Sequence, residues 1–108
     1  MTSERLEEVG ELDRTIHEPA RLAILTVLSA CASADFVYLQ RATGLTKGNL
    51  SSHLTKLEAA GLVEIEKRFV ERRPNTLVRL TEAGGNGIRD HWARLDDLRR
   101  NAESLATE

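Results

Sequence analysis

Two amphipathic stretches separated by only three residues constrain this chain more than any other feature. Asp35 is placed to cap a helix over Phe36–Thr43, whose Phe36, Leu39 and Ala42 share one inner face. Gly44 follows, where a helix end needs a residue that tolerates positive φ, and Leu45 plugs the turn. Thr46 then caps a further helix reaching Ala60, with Leu50, Leu54 and Leu57 at i, i+4 and i+7. Gly61 stops it. Two helices joined by Gly44, Leu45 and Thr46 alone have the helix-turn-helix geometry.

The flanks extend this unit. Leu6, Val9, Leu12 and Ile16 carry a loose helical stripe near the N-terminus. Pro19 fits the first turn of a helix over residues 19–32, where its missing N–H is not needed. Leu22, Ile24, Leu25, Val27, Leu28 and Cys31 stand on most sides of that helix, which predicts a central, buried element with Cys31 as a small core residue. Beyond Gly61 the apolar period drops to two over residues 62–67 and 76–80, around a charged tip at residues 70–75 that contains Pro74. This reads as a β-hairpin. Thr81 caps a last helix ending near Ser104, with Ile88, Trp92, Leu95 and Leu98 on one side. The expected fold is mainly α with a two-stranded β wing: a three-helix core plus N- and C-terminal helices. It forms one domain over residues 1–108, with the helix-turn-helix at about 35–60, the hairpin at about 62–80 and the C-terminal helix at about 82–104.

At 108 residues, 41% hydrophobic and 30% charged, the chain has ordinary globular composition. No apolar run is long enough to cross a membrane, and the first residues have neither the basic nor the apolar part of a signal peptide. A single cysteine closes no internal disulfide, which makes a reducing cytoplasm the expected compartment. His17, His53 and His91 are too dispersed to suggest a zinc set, so no metal and no cofactor are expected. No nucleophile triad, phosphate-cradling glycine loop or facing carboxylate pair suggests an enzyme. The net charge is −2, but it is unevenly spread. Residues 41–79 hold eight Lys/Arg against four Asp/Glu, net +4, between acidic ends of net −4 and −2. A basic middle between acidic ends is either scattered solvated charge or the footprint of a polyanionic partner.

The helix after the turn carries the candidate chemistry. Opposite its leucines stand Gly48, Ser52, Thr55 and Ala59, flanked by Asn49 and Lys56 and more obliquely by Ser51 and His53. Short hydrogen-bonding side chains with small residues between them suit a DNA major groove roughly 12 Å wide, where bulky side chains would clash. His53 has two readings, a phosphate contact or a half-buried side chain bonding a neighbouring helix, and its oblique position favours the second. Lys67, Arg68, Arg72 and Arg73 on the hairpin add cations for phosphates or a minor groove. An edge hairpin also carries charge merely to resist aggregation.

Taken together, several segments resemble winged helix-turn-helix transcriptional regulators of the MarR/ArsR type. They are the run Gly44-Leu45-Thr46, the segments Leu50-Ser51-Ser52-His53-Leu54 and Leu57-Glu58-Ala59-Ala60-Gly61-Leu62-Val63, and Arg72-Arg73-Pro74-Asn75-Thr76 with Leu80-Thr81-Glu82-Ala83-Gly84. The resemblance implies a homodimer on a palindromic double-stranded DNA operator, with recognition helices in the major groove and wings on the backbone or minor groove. The residues placed at DNA are then Thr46, Lys47, Asn49, Ser51, Ser52, His53, Thr55, Lys56, Lys67, Arg68, Arg72, Arg73 and Asn75. Leu6, Val9, Leu12, Ile16, Ile88, Trp92, Leu95 and Leu98 are expected at the dimer interface, because Leu22, Leu25, Leu28, Leu39, Leu50 and Leu54 suffice to fill the three-helix core. The alternative is a winged-helix protein-interaction module without DNA binding. Two departures matter. The Cys-x-Cys motif of metal-sensing relatives is missing, and no small-molecule effector is assigned. Gly84, Gly85 and Gly87, at about 1 kcal/mol each against Ala, argue against a phosphate contact at that helix end and predict a frayed first turn.

Overall fold

The computed structural model describes residues 14–107. Its elements run α1 (Pro19–Cys31), β1 (Ser33–Asp35), α2 (Phe36–Thr43), α3 (Lys47–Ala59), β2 (Val63–Val70), β3 (Arg73–Leu80) and α4 (Glu82–Ala106). Residues 14–17 are helical ahead of α1.

The helix ends fall where the local chemistry puts them. The Glu18 carboxylate accepts from the Arg21 N–H at 2.9 Å and caps α1. Asp35 accepts from the Tyr38 N–H at 2.8 Å, and Thr46 from the Asn49 N–H at 3.2 Å, so each satisfies a donor the first helical turn leaves open. Gly44 closes α2 in the left-handed region at φ 72°, its N–H bonded to Gln40 O.

The sheet has three strands, in the order β1-β3-β2, where the periodicity predicts two. Asp35 needs extended backbone to cap α2, so residues 33–35 are already straight. They pair antiparallel with β3 at Ser33↔Arg79, Ala34↔Val78 and Asp35↔Leu77. Three residues are too few to show an alternation, and only the arrival of β3 makes them a strand. The hairpin tip is also smaller than residues 70–75. It is the two-residue turn Glu71-Arg72, at φ 50° and 67°. Val70 and Arg73 flank a two-residue loop and so form a hydrogen-bonded pair, which makes Phe69↔Pro74 a non-hydrogen-bonded one. Pro74 therefore gives up no ladder bond to β2, and the pairing of β1 with β3 ends at Leu77.

The core gathers Ile24, Leu25 and Leu28 of α1, Leu39 of α2, Leu50, Leu54 and Leu57 of α3, and Val63 and Val78 of the sheet. Ile16 and Ile88, expected at a dimer face, are instead 1% exposed within this same core. The start of α4 packs on the domain, and Ile16 fills the space above Gly87. Leu6, Val9 and Leu12 lie outside the described residues. Cys31 is exposed rather than buried, its Sγ donating to Val27 O at the end of α1, where the helix has left the core; Ala42 is exposed too.

The first turn of α4 is tied down, not frayed. Thr81 Oγ1 accepts from the Gly84 N–H at 3.0 Å and donates to Gly61 O at 2.7 Å, while the Thr81 N–H bonds Leu62 O at 3.1 Å. Gly84 is a packing requirement. A Cβ on Gly84 would stand 2.1 Å from Leu62 O.

Candidate nucleic-acid interface

α3 buries its leucines against the core and turns Lys47, Gly48, Asn49, Ser51, Ser52, Thr55, Lys56 and Glu58 into solvent. The helical period divides these residues among directions. Lys47, Ser51, Thr55 and Glu58 turn toward the hairpin. There, with Phe36, Leu54, Ile65, Lys67 and Thr76, they line a groove of about 650 Å³ between α3 and the hairpin. Ser52 stands opposite the leucine stripe, and Asn49 and Lys56 lie round toward the other flank. Thr55 Oγ1 donates to Ser51 O at 3.0 Å, so its hydroxyl keeps an acceptor lone pair for a partner.

His53 belongs to a different neighbourhood. It is half-buried, with Nδ1 3.3 Å from Arg21 Nη1 and 3.6 Å from Glu18 Oε2. Arg21 also donates from Nε to Thr15 O at 2.7 Å. The second reading of His53 fits this geometry: the side chain ties α3 to the start of α1. Burial alone would raise the Glu18 carboxyl. The backbone N–H groups of Arg21 and Ala20, with the charges of His53 and Arg21, outweigh it and hold the group below the ordinary glutamate range.

The wing cations separate by face. Val63↔Leu80, Ile65↔Val78, Lys67↔Thr76 and Phe69↔Pro74 are directly paired and share the face that begins in the core. Arg68 and Asn75 share the other face, where Arg68 Nε donates to Asn75 Oδ1 at 2.9 Å. Arg73 stands on that face too, opposite Val70, and Arg72 occupies the turn. Arg79 on the same face is bridged to Glu66 at 3.1 Å. Among the described residues, Lys47, Lys56, Lys67, Arg72 and Arg73 have no carboxylate within ion-pair distance. On α4, by contrast, Arg99 bridges Asp96 and Glu103, and Arg100 bridges Asp96 and Asp97.

The arrangement thus brings together Lys47, Ser51, Thr55 and Lys67, leaves Asn49, Ser52 and Lys56 on the outward surface of α3, and sets His53 apart. Glu58, Phe36 and Thr76 are groove residues the sequence reading missed. Glu58 carried a signal, since it follows Ser51 by two helical turns and shares its flank. Among the described residues, no helix is long and apolar enough to cross a membrane, and no group of His, Cys, Asp and Glu could hold a metal.

A family profile described as a winged helix DNA-binding domain matches residues 20–98. An uncharacterized protein of Methanocaldococcus jannaschii is 34% identical over 83 residues, covering 77% of this chain and 90% of the relative. The solved structure of a transcriptional regulator homologue from Pyrococcus horikoshii OT3 superposes with a TM-score of 0.79 at 32% identity, over 89% of this chain and 97% of that one. A MarR-family transcriptional regulator of Enterococcus faecalis V583 gives 0.70 at 26% identity, over 99% and 93%.

Proposed function

The chain belongs to the family of winged helix DNA-binding domains, transcriptional regulators rather than enzymes, and from that premise we propose that it binds a palindromic operator as a homodimer. One observation carries the DNA contact: cations with no carboxylate partner cluster on α3 and the wing, on either side of the helix's small polar surface. In the proposed pose α3 enters the major groove. Asn49 and Ser52 meet base edges, Ser51 and Thr55 reach bases or phosphates, and Thr46, Lys47 and Lys56 sit on phosphates. Arg68, Arg72, Arg73, Lys67 and Asn75 bring the wing to the backbone or minor groove.

The dimer reading rests on α4. Its first turns pack on the domain, but the helix has 25 residues, about 37 Å, and outruns it. Beyond His91 it exposes Trp92, Leu95, Leu98 and Leu105, the last two at 65% and 71%. An isologous contact through this stripe would set two recognition helices about one DNA turn, roughly 34 Å, apart.

The test is binding to duplexes selected from a random pool, compared with unselected duplex. Ser52→Ala and Asn49→Ala are each expected to weaken the selected site by roughly 1–3 kcal/mol and unselected DNA little, while Lys56→Ala weakens both alike. If neither Ser52→Ala nor Asn49→Ala changes affinity for the selected site, α3 does not read bases.

A further inference from the structure

One feature of the wing is unlike a solvated hairpin. Phe69 is 76% exposed, more than Leu105 or any other large apolar side chain among the described residues. It is opposed across the hairpin by Pro74, one pair further out than Lys67 and Thr76 on the same face. Because Lys67 and Thr76 line the groove along α3, Phe69 turns to the side on which the recognition helix presents its polar flank. Lys67 shares its face two residues back, Arg72 lies in the turn beyond it, and Arg68 and Arg73 stand next to it on the opposite face of the ribbon.

An exposed aromatic ring at the end of a ribbon that carries cations on both of its faces fits a partner that is polyanionic at its rims and apolar at its floor. The minor groove of duplex DNA is such a partner, with phosphates along its edges and sugars and base steps within. The groove is only about 6 Å wide, and two strands spaced about 4.8 Å apart with their side chains do not enter it flat. A single ring projecting from the outer end of one face of the ribbon enters by prying a step open. We propose that Phe69, backed by Pro74, is a wedge that enters the minor groove beside the recognition helix's site, unstacks a base step and bends the duplex toward the major groove. This deepens the DNA-binding reading and rests on it.

The experiment uses the full chain and the selected duplexes, with 2-aminopurine placed in turn at each step flanking the major-groove site. The wild-type protein is expected to raise 2-aminopurine fluorescence at one flanking step per half-site and to bend circularly permuted fragments. Phe69→Ala is expected to bind roughly tenfold more weakly and, at saturating protein, to give neither signal. Phe69→Leu is expected to restore part of both, since an aliphatic wedge also separates a step. Replacing Arg72 and Arg73 by Ala together is expected to reduce affinity yet leave the fluorescence rise intact at saturation. Circular dichroism is expected to match wild type for each variant, because Phe69 is not part of the core. Binding without any fluorescence rise overturns the wedge. So does an undiminished rise in Phe69→Ala, which would leave the ring to a protein partner. Failure to bind any duplex overturns the DNA-binding reading itself.

Discussion

Gly84→Ala tests the packing that holds the wing against α4. On helix propensity alone the change is favourable by up to about 1 kcal/mol. The structure reverses that sign. A Cβ at Gly84 would stand 2.1 Å from Leu62 O, 2.7 Å from Leu80 Cδ1 and 3.0 Å from the Leu62 carbonyl carbon. The leucine side chain can swing aside, but the carbonyl cannot, because it is backbone and accepts the Thr81 N–H at 3.1 Å. Relief by about 1 Å costs roughly 1–3 kcal/mol of overpacking strain. Loosening the Thr81 bond adds about 1 kcal/mol. The net expectation is a loss of about 2 kcal/mol, or roughly 8–16 °C in melting temperature for a domain of this size. Two companions calibrate it. Gly87→Ala meets the far ends of two side chains, Ile16 Cδ1 at 2.8 Å and Leu62 Cδ2 at 4.0 Å, and is expected to cost less. Gly48→Ala meets nothing within 4 Å and is expected to be neutral or stabilising. Thermal melts at one fixed protein concentration, followed by circular dichroism, should rank the proteins Gly48→Ala, wild type, Gly87→Ala, Gly84→Ala from high to low. A Gly84→Ala protein melting at or above wild type would refute the close approach.

Replacing Arg72 and Arg73 together should flatten the plot of log affinity against log salt by up to about two units of slope, and an unaltered slope would keep the wing in solvent. Glu18→Gln should lower stability in a pH-dependent way. The folded carboxyl titrates below its ordinary value of 4.5, so its contribution is full above that pH and is lost as pH falls through the folded value. Urea midpoints of wild type and variant should therefore differ at pH 7 and draw together as pH falls below 4.5 through the folded value, and a gap independent of pH would show that the charge is irrelevant. Sedimentation at micromolar concentration should give twice the 12.0 kDa chain mass, reverting to one chain in Leu95→Glu with its helical signal intact. A wild-type monomer at that concentration rules the α4 interface out.

The features legible in the sequence were those a residue settles within its own turn. Asp35, Gly44, Thr46 and Thr81 act on donors or acceptors three or four positions away, so the caps, the short turn and the boundaries of α2 and α3 could be read directly. The features that were not legible depend on segments far apart in the chain. β1 is a strand only because β3 lies beside it. Gly84 looks like a weak helix start until the Leu62 carbonyl is placed against it. Ile16 and Ile88 looked spare because the earlier leucines seemed enough to fill the core. The same limit governed the site. That α3 is polar on its outer side and that His53 sits obliquely enough to bond a neighbouring helix was readable, but which residues face the wing and which helix His53 meets was not, since nothing local tells His53 that Glu18 and Arg21 are its neighbours.

Net charge was the least informative quantity, for a physical reason. Three acids of α4 are satisfied within their own helix: Asp96 by Arg99 and Arg100, Asp97 by Arg100, and Glu103 by Arg99. The two arginines hold the Asp96 carboxyl below its ordinary range, which is the signature of a charge already spoken for. Asp96 also lies about 21 Å along the helix from Glu82, against a screening length of about 8 Å at physiological salt. Such groups count fully in a sum over the chain and very little at the surface that meets a phosphate. What a phosphate would meet there is Lys47, Lys56, Lys67, Arg72 and Arg73, with Glu58 the one acid lining the groove and Glu71 beside Arg72 in the turn. In the proposed pose a chain of net −2 would therefore still turn a cationic face to a duplex, and Glu58 would limit where along that face a phosphate can sit.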